Sequence, residues 1–171
     1  MNIQKELIKK YITPLKESDY VGVEIELPIV NTCYPYIVNS EIIQQLFDEL
    51  LHKNFQILNF DKNIIAIKNK KNNDIISLEY SVNTIELSLS KEMNIFNLQK
   101  KFVLYYQFIN QFLSKFNYMV CCEGINPHYR YINCSCLNQD RYKIIEKILL
   151  KENNKLFSQF CAYCCSIQTH I

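Results

Sequence analysis

Hydrophobic and polar positions along this chain follow two periods in turn, and the switch between them outlines the fold. Ile3, Leu7, Ile8, Tyr11, Ile12 and Leu15 recur at helical spacing and predict an opening helix over Ile3–Leu15. Tyr20–Val30 reads as a first strand. It contains Pro28, which suits an edge or a bend because proline has no N–H for a ladder. Asn39 or Ser40 can cap a helix running to about Lys53, with Ile42, Ile43, Leu46, Phe47, Leu50 and Leu51 as its buried stripe.

From Phe55 to Ser90 the period falls to two. Phe55–Phe60, Ile64–Asn69, Ile75–Tyr80 and Thr84–Leu89 predict strands joined by Asp61-Lys62-Asn63, Lys70–Asp74 and Val82-Asn83. Connections this short imply an antiparallel meander. Helical spacing returns over Asn94–Phe116, where Leu98, Phe102, Tyr105, Tyr106, Ile109, Phe112 and Leu113 lie broadly on one side. Tyr118–Glu123 is strand-like and leads into Gly124-Ile125-Asn126-Pro127-His128; Asp140–Leu150 is helical, and Phe160–Ile171 is again strand-like. With no internal repeat and no linker, residues 1–171 form a single α+β domain, an antiparallel sheet covered by helices. The apolar pattern persists to Ile171, so the expectation is that the last strand either closes the arrangement or belongs to the front part of a larger catalytic unit.

Composition narrows the class. A chain of 171 residues can bury a real core, and 49% hydrophobic with 21% charged residues is ordinary for a soluble globular protein. A net charge of +2 without a basic stripe gives no reason to expect a nucleic-acid partner; Lys68–Lys71 reads as a solvated hairpin end. No apolar stretch approaches the roughly 20 residues of a membrane helix. Lys5, Glu6, Lys9 and Lys10 interrupt what would be the apolar core of a signal peptide. The expectation is a cytoplasmic protein that does not enter membranes.

The eight cysteines should then be reduced and pack as small apolar residues. Cys161-Ala-Tyr-Cys164, with Cys134, Cys136 and His128 upstream, has spacing compatible with a structural zinc site. Against that, Cys121-Cys122 and Cys164-Cys165 are adjacent pairs in strand-like runs, where neighbours face opposite ways, and no knuckle glycine accompanies them.

Chemistry concentrates in Gly22-Val23-Glu24-Ile25-Glu26-Leu27. Residues two apart on a strand share a face, so Glu24 and Glu26 project together while Val23, Ile25 and Leu27 take the other side. Paired carboxylates repel unless a cation lies between them or one is protonated. Hard oxygen ligands on a sheet suit Mg²⁺ carrying nucleotide phosphates; a polar strand face in water is the plainer alternative. If the chain turns at Val82-Asn83, Glu79 and Glu86 reach one sheet face on antiparallel strands. Glu24, Glu26, Glu79 and Glu86 together would make an acidic floor for more than one divalent ion, able to organise ATP for phosphoryl transfer.

At this point the residues resemble a family. Gly22–Glu26, Glu79 ahead of Glu86-Leu87-Ser88, Gly124–His128, Arg141-Tyr142 and Ser166-Ile167-Gln168-Thr169-His170 occur in the order seen in glutamate–cysteine ligases. The resemblance covers about residues 20 to 171 and is nearest to the branch of carboxylate–amine ligases and plant-type enzymes. It implies a glutamine-synthetase-like funnel holding Mg²⁺ and ATP. It further implies ATP-dependent amide formation between the γ-carboxylate of glutamate and an amine such as cysteine, through an acyl phosphate, as in glutathione biosynthesis. Glu24, Glu26 and Glu86 match the family's metal ligands, and Glu79 an acidic residue beside them. Gln168 matches a metal- or substrate-contacting position, and His170 the polar residue two places on. The family's members are longer, so the expectation is the amino-terminal portion of a catalytic domain, a truncated product, or one subunit of a split enzyme. Homo-oligomerisation or a companion chain would complete the sheet. A non-catalytic ligase-like binding module and a zinc-bound structural module are the competing classes.

Overall fold

The computed structural model describes residues 19–35, 38–132, 135–151 and 159–170. The elements in order are β1 (Val21–Asn31), α1 (Ser40–Leu51), β2 (Phe55–Asp61), β3 (Asn63–Asn69), β4 (Ile75–Leu78), β5 (Thr84–Glu92), α2 (Ile95–Leu113), β6 (Tyr118–Val120), α3 (Asp140–Lys151) and β7 (Ile167–His170). The expected helix over Ile3–Leu15 lies outside the described residues.

Seven strands form one sheet in the order β2-β3-β4-β5-β1-β6, with β7 also paired to β1, and every pairing is antiparallel. The meander from β2 to β5 follows from short turns. Lys62 and Asn73 hold the left-handed backbone these reversals require, at φ 56° and 63°. At the β4–β5 turn Tyr80 is also left-handed (φ 55°), uncommon for a bulky aromatic side chain. Its ring is buried and packs edge-on against Tyr142, at 5.3 Å between centroids.

Register decides which residues make the core. Val23 faces Leu89, Ile25 faces Leu87 and Leu27 faces Ile85, and this side of the sheet carries the main apolar cluster. Helices α1 and α2 cover it. Each begins where an asparagine side chain accepts an amide two residues on: Asn39 from Glu41 and Asn94 from Phe96, both at 2.9 Å. Helix α1 buries Ile43, Leu46, Phe47 and Leu50, and α2 buries Leu98, Ile109 and Leu113. Each such side chain contributes about 1.5–3 kcal/mol of transfer free energy. Glu24, Glu26 and Pro28 alternate onto the opposite face. There a smaller cluster of Tyr80, Ile132, Tyr142 and Ala162 covers part of the sheet, bringing α3 against it.

Pro28 corrects one expectation. It lies at neither an edge nor a bend but in the middle of β1, an interior strand with β5 on one side and β6 and β7 on the other. Ile29 donates its N–H to Asn83 O on the β5 side, while Glu26 donates to Ser166 O on the other. The alternation places the Pro28 nitrogen toward the second side. There β7 has ended its regular pairing at Ile25 and β6 pairs regularly only from Ile29; opposite Pro28, Cys121 makes the one ladder bond a proline allows, its N–H donating to Pro28 O at 3.1 Å. Boundaries shift elsewhere too. Regular pairing ends at Leu78 and at Val120, short of Tyr80 and Glu123, and among the described residues of the strand-like tail Ile167–His170 is strand. Residues 159–163 turn as a short helical segment, because Ala162, Tyr163 and Cys164 donate back to Gln159 and Phe160.

Candidate carboxylate site

Strands β7, β1 and β5 lay out a row of polar side chains on the face away from α1 and α2. Glu24 stands between Gln168 on β7 and Ser88 on β5, and Glu26 directly opposite Glu86 on β5. Ser77 on β4 continues the row beyond Glu86. Glu79 lies past the end of β4, its N–H donating to Thr84 O at 3.1 Å, which sets it beside the same face. The expectation that Glu24, Glu26 and Glu86 share one side of the sheet agrees with this register; Glu79 lies outside it.

Each carboxylate has its own polar neighbour. His170 Nε2 lies 3.4 Å from Glu24 Oε2. The Ser166 amide donates to Glu26 Oε2 at 2.8 Å. Ser88 Oγ donates to Glu86 Oε1 at 2.6 Å, with Ser77 Oγ more distant at 3.5 Å. Glu79 Oε2 accepts from the Tyr142 hydroxyl at 2.8 Å and from Arg141 Nη2 at 2.9 Å, and the guanidinium lies over the Tyr142 ring. Gln168 and His170 are exposed on β7, Gln168 Nε2 reaching Ser166 Oγ at 3.4 Å. Among the described residues, no group of three or more His, Cys, Asp or Glu side chains converges as a metal site. Register thus assembles the carboxylates, while the side-chain rotamers point each to a separate partner.

Electrostatics mark two of them. Burial pushes the Glu26 carboxyl above the ordinary range, with Glu86 and Glu24 adding to the rise and the Ser166 bonds opposing it. Burial also raises Glu79, opposed by the Tyr142 hydroxyl and Arg141. As a donor set, Glu24, Glu26 and Glu86 are hard anionic oxygens on neighbouring backbone positions, which fits Mg²⁺ chemically. Glu79 is already balanced by Arg141.

Arg141-Tyr142 has no role legible in the sequence alone. The fold gives it one, since the start of α3 carries both groups to Glu79. Ser166, whose N–H and C=O both engage Glu26, was invisible because nothing in a sequence announces a backbone contact 140 residues away. In the Gly124–His128 loop, Asn126 is buried and donates to Ile29 O at 3.0 Å, while its Oδ1 accepts the His128 amide. Burial raises the thiols of Cys121, Cys136, Cys161 and Cys164, and that of Cys165 to about 12. In the metal-free protein this favours the protonated thiol; Cys134 lies outside the described residues. Among the described residues no helix is long and apolar enough to cross a membrane. No protein-family model matches this chain, and no curated protein matches it in sequence.

Proposed function

We propose that the carboxylate face holds Mg²⁺-ATP for a ligase reaction of the glutamate–cysteine ligase type, in the cytoplasm, within a glutamine-synthetase-like sheet. The observation that supports this reading best is the direct opposition of Glu26 and Glu86 across β1 and β5, with Glu24 two residues along. Like charges placed face to face cost stability unless a cation joins them. Glu24, Glu26 and Glu86 would hold the ion, which supplies charge neutralisation at the phosphates during transfer.

The chain's own groups have defined parts. The Ser166 amide and the Ser88 hydroxyl fix the orientation of Glu26 and Glu86. Arg141, held by Glu79, is a cation beside the acidic face that can meet a phosphate or a substrate carboxylate. Gln168 and His170 line its outer margin and suit contacts to the nucleotide or to glutamate. In the reaction a substrate carboxylate oxygen attacks the γ-phosphorus and ADP departs. The amine then attacks the acyl carbon, inorganic phosphate departs, and the amine's proton passes to solvent or to a carboxylate.

Mg²⁺-dependent ATP binding by titration calorimetry tests the site, and phosphate release with glutamate and cysteine tests the reaction. Glu24→Gln should abolish the binding while leaving the circular dichroism spectrum unchanged. Binding of Mg²⁺-ATP by that variant as tight as by the parent would overturn the reading. A second reading, a binding module or one member of a split or homo-oligomeric enzyme, draws on the neutralisation of Glu79 by Arg141 and Tyr142. It expects ATP to bind without phosphate release.

A further inference from the structure

A cavity of about 500 Å³ opens where β6 and β7 both leave β1. Between them the continuous ladder gives way to single bonds, Glu26 N–H to Ser166 O and Cys121 N–H to Pro28 O. The missing strand surface becomes the cavity wall. Ile25 and Leu27 of β1, Phe102 of α2 and Ile167 of β7 supply its apolar lining, and Glu26 and Glu123 are its charged lining groups among the described residues. The volume falls within the range that encloses small organic ligands.

We propose that this cavity binds a primary ammonium compound with a flat apolar body, of the arylalkylamine class. Its charge pattern favours a cation. An anion would be brought against Glu26 and Glu123 with no lining cation among the described residues to balance it, and a neutral ligand would leave the charge of the two carboxylates uncompensated. An ammonium group satisfies them with charge-assisted bonds, and the Phe102 ring offers an aromatic body an offset or edge contact. Glu26 belongs both to the cavity and to the carboxylate face, so an amine bound here lies next to the place where an activated carboxylate would form. The bound amine's role as acceptor rests on the ligase reading; occupancy of the cavity does not.

The chain contains no tryptophan, so tryptamine is a self-reporting probe whose indole emission is separable from tyrosine. Titrations are run without Mg²⁺ or nucleotide, against tryptophol and indole-3-propionate, which replace the ammonium by a hydroxyl and a carboxylate. Tryptamine should bind saturably and about tenfold more tightly than tryptophol, with indole-3-propionate weaker still. Glu123 and Cys122 are both exposed, so substitutions there preserve the fold. Glu123→Gln should weaken tryptamine about fivefold and leave tryptophol unchanged, whereas Cys122→Phe, which fills space, should weaken both. Equal affinity for tryptamine and tryptophol, or no effect of Glu123→Gln, overturns the proposal. Glu24 does not line the cavity, so Glu24→Gln should keep tryptamine binding. Tryptamine binding by a protein indifferent to Mg²⁺-ATP supports the amine site and removes only its acceptor role; Mg²⁺-ATP binding without tryptamine selectivity overturns the amine site alone.

Discussion

Replacing Glu26 by Gln should stabilise the metal-free protein near neutral pH and remove its response to Mg²⁺. Glu26 and Glu86 are directly opposed, a position in which Cβ atoms are about 5 Å apart. With carboxylate charges about 6 Å apart, their repulsion is about 0.7 kcal/mol at the dielectric of water and about 2.8 kcal/mol at an effective dielectric near 20. Glu26 is half-buried, so the expected gain lies between these limits, about 1–2 kcal/mol. Glutamine keeps an oxygen to accept the Ser166 amide, so the substitution isolates the charge.

The pH dependence carries the sign. Burial, with Glu86 and Glu24, raises the folded-state pKa of Glu26 above its ordinary value of 4.5, so the native state holds this proton more tightly than the unfolded chain. Stability from this group is therefore present below the ordinary range and is lost as pH rises through the folded-state value. Parent and variant should match near about pH 4, and the variant should be the more stable near about pH 7.5. Urea unfolding followed by circular dichroism at both pH values, with and without MgCl₂, reads the difference. A variant equally destabilised at both pH values, or one stabilised by Mg²⁺ as much as the parent, would refute the reasoning.

Asp74, fully buried, accepts from Ser90 N and Oγ, the Tyr105 hydroxyl and Lys101, tying the β3–β4 turn to β5 and α2. Asp74→Ala should cost about 3–5 kcal/mol in a urea titration, because it leaves several buried donors without their acceptor. Pro28→Ala should change stability by less than about 1 kcal/mol. Ile29→Pro, which deletes the N–H donated to Asn83 O, should cost about 3 kcal/mol or more, and equal effects would refute the account of the gap beside β1. Tyr142→Phe should destabilise by about 1–3 kcal/mol and move the Glu79 titration, followed by NMR, further upward. No movement would show that the Tyr142 hydroxyl does not hold Glu79.

The sequence alone determined what depends on local periodicity. The period of two from Phe55 to Ser90 specifies the meander, a cap at Asn39 or Ser40 and the apolar stripes that follow locate α1 and α2, and the alternation in Val23–Leu27 assigns Glu24 and Glu26 to the polar face. Those signals arise within a few residues and survive any tertiary arrangement. Pro28 was read as an edge or a bend because proline reports only that its own nitrogen lacks a partner. Whether an interior strand leaves a gap there depends on where β6 and β7 end. Register across β1 and β5 set Glu26 against Glu86, chain folding over long separations brought Arg141 and Tyr142 to Glu79, and the parting of β6 from β7 opened the cavity beside Glu26. Those placements are long-range. They are chosen by burial of the core summed over the whole sheet, a quantity no single segment carries.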